Sequence, residues 1–239
     1  DAAGGSPRLG ASYAITKDTI VHWFGGVNWE PPQPLDTATA ARALGVVPAT
    51  EAIAYDLKPE TDLTSEIGVS SRIIKPLRVG LTGWARYAYN QLDDTAVGST
   101  SLLSNYNFRR GRAGGIEASL DLRVGPWLSA GANGTLGVAQ GQGISSAKYL
   151  FTADQLADTG WQTLDHAQTW TANAGATVRE GRYTVTGLLQ YGSGLRTGSA
   201  NAQHVPGHVV VDVPAAYQFM PRGYPVRVAI AAQSTSVSP

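Results

Sequence analysis

The chain has no cysteine, which excludes disulfide frameworks and thiolate metal sites. It has a single methionine and only 15% charged residues, where ordinary soluble domains carry roughly 25%. Its 18 basic and 18 acidic residues cancel, and that balance argues against a nucleic-acid binder, whose surface needs a clustered basic excess. No run approaches the ~18 consecutive apolar residues of a transmembrane helix. Residues 1–8 lack the apolar core of a signal peptide, so the reading is that a signal was removed or that the chain begins inside a larger protein. Helical periodicity is almost absent.

What is present instead is alternation, recurring ten times. Strands are predicted near 8–16, 19–29, 62–74, 77–90, 109–124, 127–140, 168–179, 182–195, 208–219 and 225–234. Many exceed the usual length of about five or six residues and suit the ~9–11 residues of a tilted strand crossing a bilayer. The alternation is chemically one-sided. In the fifth strand Ile116, Ala118, Leu120 and Leu122 oppose Glu117, Ser119, Asp121 and Arg123. In the sixth, Leu128, Ala130, Ala132, Leu136 and Val138 oppose Ser129, Asn133 and Thr135. In the ninth, Val209, Val211, Val213, Tyr217 and Phe219 oppose Asp212 and Gln218.

A soluble sandwich has the same period with the apolar face turned inward. Three features favour a membrane barrel. The polar faces hold Gly, Ser, Thr, Asn and paired charges, as a crowded wet lumen requires. Aromatic residues stand near the ends of the apolar faces: Tyr13, Trp23, Trp29, Tyr87, Tyr89, Trp127, Trp170, Tyr183, Tyr191, Tyr217 and Phe219. Interfacial girdles are built of such residues. Connections also alternate, short at 16–19, 74–77, 125–127, 180–182 and 220–225, and longer at 30–61, 92–107, 141–167 and 196–207. Outer-membrane barrels have short periplasmic turns and longer extracellular loops. The expected fold is therefore all-β: a transmembrane antiparallel up-and-down barrel of about ten strands, or a segment of one, over residues 1–239, in a bacterial outer membrane.

Several stretches carry a family likeness. They are Pro7-Arg8-Leu9-Gly10-Ala11-Ser12-Tyr13, Thr16-Lys17-Asp18-Thr19 and Trp29-Glu30-Pro31-Pro32, then Leu57-Lys58-Pro59-Glu60 before Ser65-Glu66-Ile67-Gly68-Val69, and Arg110 to Glu117 with its glycine, apolar residue and glutamate. In that order they resemble the barrel of TonB-dependent outer-membrane receptors. The resemblance implies a large barrel around a plug domain, a TonB-type energising complex as partner, and uptake of scarce bulky solutes such as metal chelates, cobalamin or oligosaccharides. No plug domain is expected within residues 1–239, and 234–239 do not read as a terminal aromatic strand. The expectation is thus the C-terminal part of such a barrel without plug and final strand, both ends lying on the extracellular side. The alternative is a small self-closed barrel serving as a passive pore or surface scaffold. Outer-membrane lipid is the expected surrounding, with a plug or remaining strands as possible partners and no nucleic acid.

Solute contacts are expected from the long connections, with Trp29, Tyr55, Tyr149, Phe151 and Trp161 as candidates. The expected lumenal charges are Arg8, Glu66, Arg72, Arg86, Glu117, Asp121, Arg123 and Asp212, with Arg78, Arg179 and Arg227 beside them. They either order a plug or solute or pair with one another to stiffen the wall; pairing is favoured, at little energy per exposed pair. Asp93-Asp94 and Asp165-His166 would share the extracellular rim. Omptin-type outer-membrane proteases place an Asp pair facing a His-Asp pair there, and a carboxylate-oriented imidazole can activate water. Nothing else resembles that family, so no enzyme activity is expected. His22, His204 and His208 have no metal-ligand spacing, and neither metal nor cofactor is expected. A short helix fits 150–159.

Overall fold

The computed structural model describes residues 4–32, 56–97, 100, 103–197, 201 and 203–237. Its strands are β1 (Arg8–Ala14), β2 (Thr19–Glu30), β3 (Glu60–Ile74), β4 (Leu77–Tyr89), β5 (Leu92–Ala96), β6 (Leu103–Val124) and β7 (Leu128–Ile144), then β8 (Trp161–Thr163), β9 (Trp170–Glu180), β10 (Tyr183–Gly192), β11 (Arg196–Thr197), β12 (Gln203–His204), β13 (His208–Phe219) and β14 (Val226–Val237). Ten long strands form one antiparallel meander in the order β1-β2-β3-β4-β6-β7-β9-β10-β13-β14. All ten alternating segments are therefore strands, in sequence order. Among the described residues β1 and β14 do not pair, so the sheet is an open wall with two free edges. Among the described residues no helix is long and apolar enough to cross a membrane, which says nothing of strands.

Register turns ten separate alternations into one surface. Tyr13, Val21, Val69 and Leu81 are successive partners, and Leu81 continues to Ala118 and Gly134. Leu122, Ala130 and Ala176 align similarly, as do Tyr183 with Tyr217 and Ala215 with Ile230. The apolar residues of every strand thus share one face, and they are left open: Leu9 is 67% exposed, Ile116 53% and Ile230 73%. A soluble protein of this size could not leave so large an apolar surface uncovered. From Leu128 to Val138 the face runs ~34 Å along β7 at ~3.4 Å per residue, and a tilt of ~45° projects that to ~24 Å, against the ~25 Å apolar height of an outer-membrane barrel. Aromatic rings border the band. Toward the short turns Tyr183 and Tyr217 lie 4.9 Å apart, with Phe219 stacked 6.2 Å beyond. Toward the long connections Tyr87 and Tyr89 meet edge-on at 5.1 Å.

Two of the short turns are tightened by glycine. Gly125 and Gly181 adopt φ of 55° and 57°, where a Cβ would be strained. At the other end β6 and β7 run on past the apolar band. There Tyr106, Phe108, Ile144, Ala147 and Leu164 form a small buried core, with Tyr149, Leu150, Phe151 and Leu156 packed against it. The predicted helix at 150–159 is a 3-10 turn (Lys148–Leu150) followed by a short helix, α1 (Ala153–Ala157), capped by Thr152 and Gln155. The loop predicted at 92–107 instead holds β5, hairpinned onto β6. Predicted loop 141–167 likewise holds the end of β7 and β8.

Candidate functional site

The face opposite the apolar band carries the charges. Along β3, Glu60, Asp62, Glu66 and Arg72 alternate with the apolar set, and partners on β2 and β4 bring His22 and Arg86 beside them. His22 Nε2 lies 3.1 Å from Glu66 Oε1, and Arg8 donates to Asn28 at 3.0 Å. Arg72 approaches Asp18 at 3.8 Å by the short turn. Arg86 joins Glu60 directly and places Nε 2.9 Å from Asp62 Oδ1. Glu117, Asp121 and Asp212 occupy the same face by register. Arg123 faces Ser129 across β6 and β7, in a basic corner with Arg72, Lys75, Arg78 and Asp121. Trp84 also stands on this side over Gly115 and Gly137, where a Cβ on Gly115 would come within 2.4 Å of the Leu136 carbonyl.

Glu60 lies outside the strand predicted at 62–74, and Asp62, its first residue, is absent from the expected lumenal charges; the period-two run Glu60, Asp62, Thr64, Glu66 is the signal that could have found both. Glu60 sits past Leu63, the last apolar residue on that stretch of β3, and is only 2% exposed. Burial pushes its carboxyl from an ordinary 4.5 to about 7, against the Leu92 N–H and the Arg86 guanidinium, which both favour the anion.

The long-connection side is more built than a set of loops. Asn107 is fully buried and satisfied at every polar atom. Its Nδ2 donates to the carbonyls of Asn90 at 2.7 Å and Lys58 at 3.0 Å. Its Oδ1 accepts from Lys58 N at 2.9 Å and Ser146 Oγ at 2.9 Å. Asp56 accepts from Ala147 N at 2.9 Å. These bonds tie four separate segments into one platform.

On that platform β5 and the link after β8 meet. Asp93 is opposite Tyr106 in register, and Tyr106 donates to its Oδ2 at 3.3 Å. His166 Nδ1 lies 2.9 Å from Asp165 Oδ1 and 3.8 Å from Asp93 Oδ1. Burial raises the Asp93 carboxyl to about 6, opposed by the Asp94 N–H and His166. Burial first, then the Asp93 charge, drives the Tyr106 hydroxyl far above the usual phenol range. The two sequence pairs at 93–94 and 165–166 therefore do converge, through Asp93 rather than Asp94.

The candidate solute-contact aromatics are dispersed. Trp29 and Trp161 stand on the apolar-side face by register, and Arg112 stacks on the Trp161 ring at 4.2 Å while bonding Gln140 at 2.8 Å. Phe151 packs edge-on to Tyr106 at 4.8 Å, and Tyr149 rests against the same core. Tyr55 lies outside the described residues.

A wall of ten antiparallel strands, apolar on one face and ion-paired on the other, defines a transmembrane up-and-down β-barrel architecture. The model of the TonB dependent receptor-like β-barrel matches residues 1–233, and the chain belongs to that family. No curated protein sequence matches it. Solved structures do. The FrpB iron transporter from Neisseria meningitidis aligns with a TM-score of 0.63 at 16% identity, over 94% of this chain and 34% of that one. The ferric-catecholate import receptor Fiu from K12 E. coli aligns with a TM-score of 0.57 at 16% identity, over 97% and 34%. The copper transporter OprC aligns with a TM-score of 0.59 at 15% identity, over 88% and 30%. The chain thus spans about a third of the length of the solved receptors it matches. Family members sit in the outer membrane, and these neighbours are transporters or receptors.

Proposed function

We propose that this chain forms part of the wall of an outer-membrane receptor that takes up a scarce, bulky solute, energised by a TonB-type complex and gated by a plug domain within the barrel. The observation that carries this reading is the pairing of an open apolar band with a hydrogen-bonded platform on the long-connection side, on a chain of receptor family. A passive pore has no need of a braced outer surface; a receptor that captures dilute solute does. The platform supplies the outward-facing surface, with Tyr149 and Phe151 supporting it from beneath and Trp29 and Trp161 at its margin. The charges of the opposite face, Arg8 to Asp212, line the interior, where plug or solute passes.

The test is uptake by cells with and without the full-length protein, using radiolabelled ferric chelates, cobalamin and oligosaccharides. Uptake of one class that requires both the protein and the proton-motive force is the expected result. Equal uptake of all three in the deletion strain defeats the proposal.

A further inference from the structure

One side-chain cluster is used neither by the wall nor by its ion pairs. Asp93 on β5 and Asp165-His166 beyond β8 bring three ligand atoms within 4.8 Å of one another. We propose that Asp93, Asp165 and His166 form a binding site for a divalent first-row transition-metal ion on the long-connection side.

The geometry carries it. Around a tetrahedral ion at ~2.1 Å from each ligand, neighbouring ligand atoms stand ~3.4 Å apart. The two edges that meet at His166 Nδ1, 2.9 and 3.8 Å, bracket that separation and the third lies within 4.8 Å, so side-chain rotations suffice. The chemistry selects the ion. One imidazole with two carboxylates suits Zn²⁺, Co²⁺, Ni²⁺ or Cu²⁺, whereas Ca²⁺ demands six or more oxygens and Mg²⁺ a near-ideal octahedron.

A second observation concerns Asp93 alone. Its side chain is only 5% exposed, yet among the described residues no Lys or Arg pairs with it; the one basic group near it is His166. A carboxylate taken out of water in this way calls for a cation. Tyr106 donates to its Oδ2 at 3.3 Å and the Asp94 N–H to its Oδ1 at 2.9 Å, which fixes Oδ1 3.8 Å from His166 Nδ1 with the oriented second layer that metal-binding carboxylates have. His166 and Asp165 are 62% and 54% exposed, so ions arrive freely from that side. Three protein ligands leave at least one position open to water or to a donor atom of a larger ligand. The inference concerns ion binding alone and stands whichever solute crosses the wall.

The experiment is a calorimetric Zn²⁺ titration of the full-length protein, without a histidine tag, in detergent, with Co²⁺ absorption as a second readout. One saturable ion per chain is expected, weakened at least tenfold in His166→Ala and Asp93→Asn and unchanged in Asp154→Asn, a carboxylate of the same connection outside the cluster. The Co²⁺ spectrum should change in His166→Ala. Because His166 is exposed, that variant decides the matter even if Asp93→Asn fails to fold. No saturable binding, or equal binding in His166→Ala, overturns the proposal.

Discussion

Glu60 shows how one side chain can set a pH dependence at the rim of the wall. A carboxyl raised in the folded state from 4.5 to about 7 contributes stability that is full below 4.5 and is lost as pH rises through 7. The sign follows because in that window the folded chain holds a proton that the unfolded chain has released. Wild type should therefore lose stability from pH 4.5 to 7 relative to Glu60→Gln, which keeps the shape and cannot ionise. Thermal unfolding in detergent across that range measures the difference; parallel curves for the two proteins refute it. Asn107 makes a pH-independent case. Asn107→Ala removes the donor to the carbonyls of Lys58 and Asn90, at roughly 0.5–1.5 kcal/mol for each hydrogen bond lost. The loss falls on the platform rather than on the membrane strands. Limited proteolysis should cut 56–59 and 144–167 in the variant while the strands of the band survive.

At the scale of strands, what matters is which face a residue occupies. Leu120 and Asn133 lie on adjacent strands near the middle of the wall, Leu120 on the apolar face and Asn133 opposite Ser119 on the polar one. Leu120→Arg should destabilise the protein folded in bilayers by about 2–4 kcal/mol, and Asn133→Arg by much less. Denaturant titrations in lipid vesicles compare the two, and similar losses would contradict the assignment of faces. The same logic explains what could be read without the structure. Segments such as 109–124 and 208–219 were legible because within the band each position must suit either hydrocarbon or a wet interior, so composition alternates along most of their length. Beyond the band that demand disappears. Leu103–Phe108 and 92–96 alternate weakly, and their pairing came from the buried core around Phe108, which no local pattern announces. The cluster of Asp93 with His166 was visible only as two acidic pairs on one rim. Their approach depends on a hairpin and on the Asn107 network, both set by contacts distant in sequence.

For the whole molecule the controlling fact is the pair of edges left unmatched among the described residues. β1 and β14 each present a row of backbone donors and acceptors on their outer sides. Within hydrocarbon such groups cost several kcal/mol apiece, and closure is the remedy barrels use. The solved receptors show where partners can come from, since this chain covers only about a third of their length. In the full-length protein, then, β1 and β14 should each pair with a further strand. Two observables follow. Amides of Arg8–Ala14 and Val226–Val237 that point away from β2 and β13 should be protected from hydrogen exchange in the full-length protein as strongly as those of β7. In residues 1–239 expressed alone, the same amides should exchange fast while β4, β6 and β7 stay protected, because the interior of the meander keeps both neighbours. Strong protection of both edges in the excerpt would mean that the wall closes by itself or with a second copy, and cross-linking of the excerpt in detergent tells those two apart.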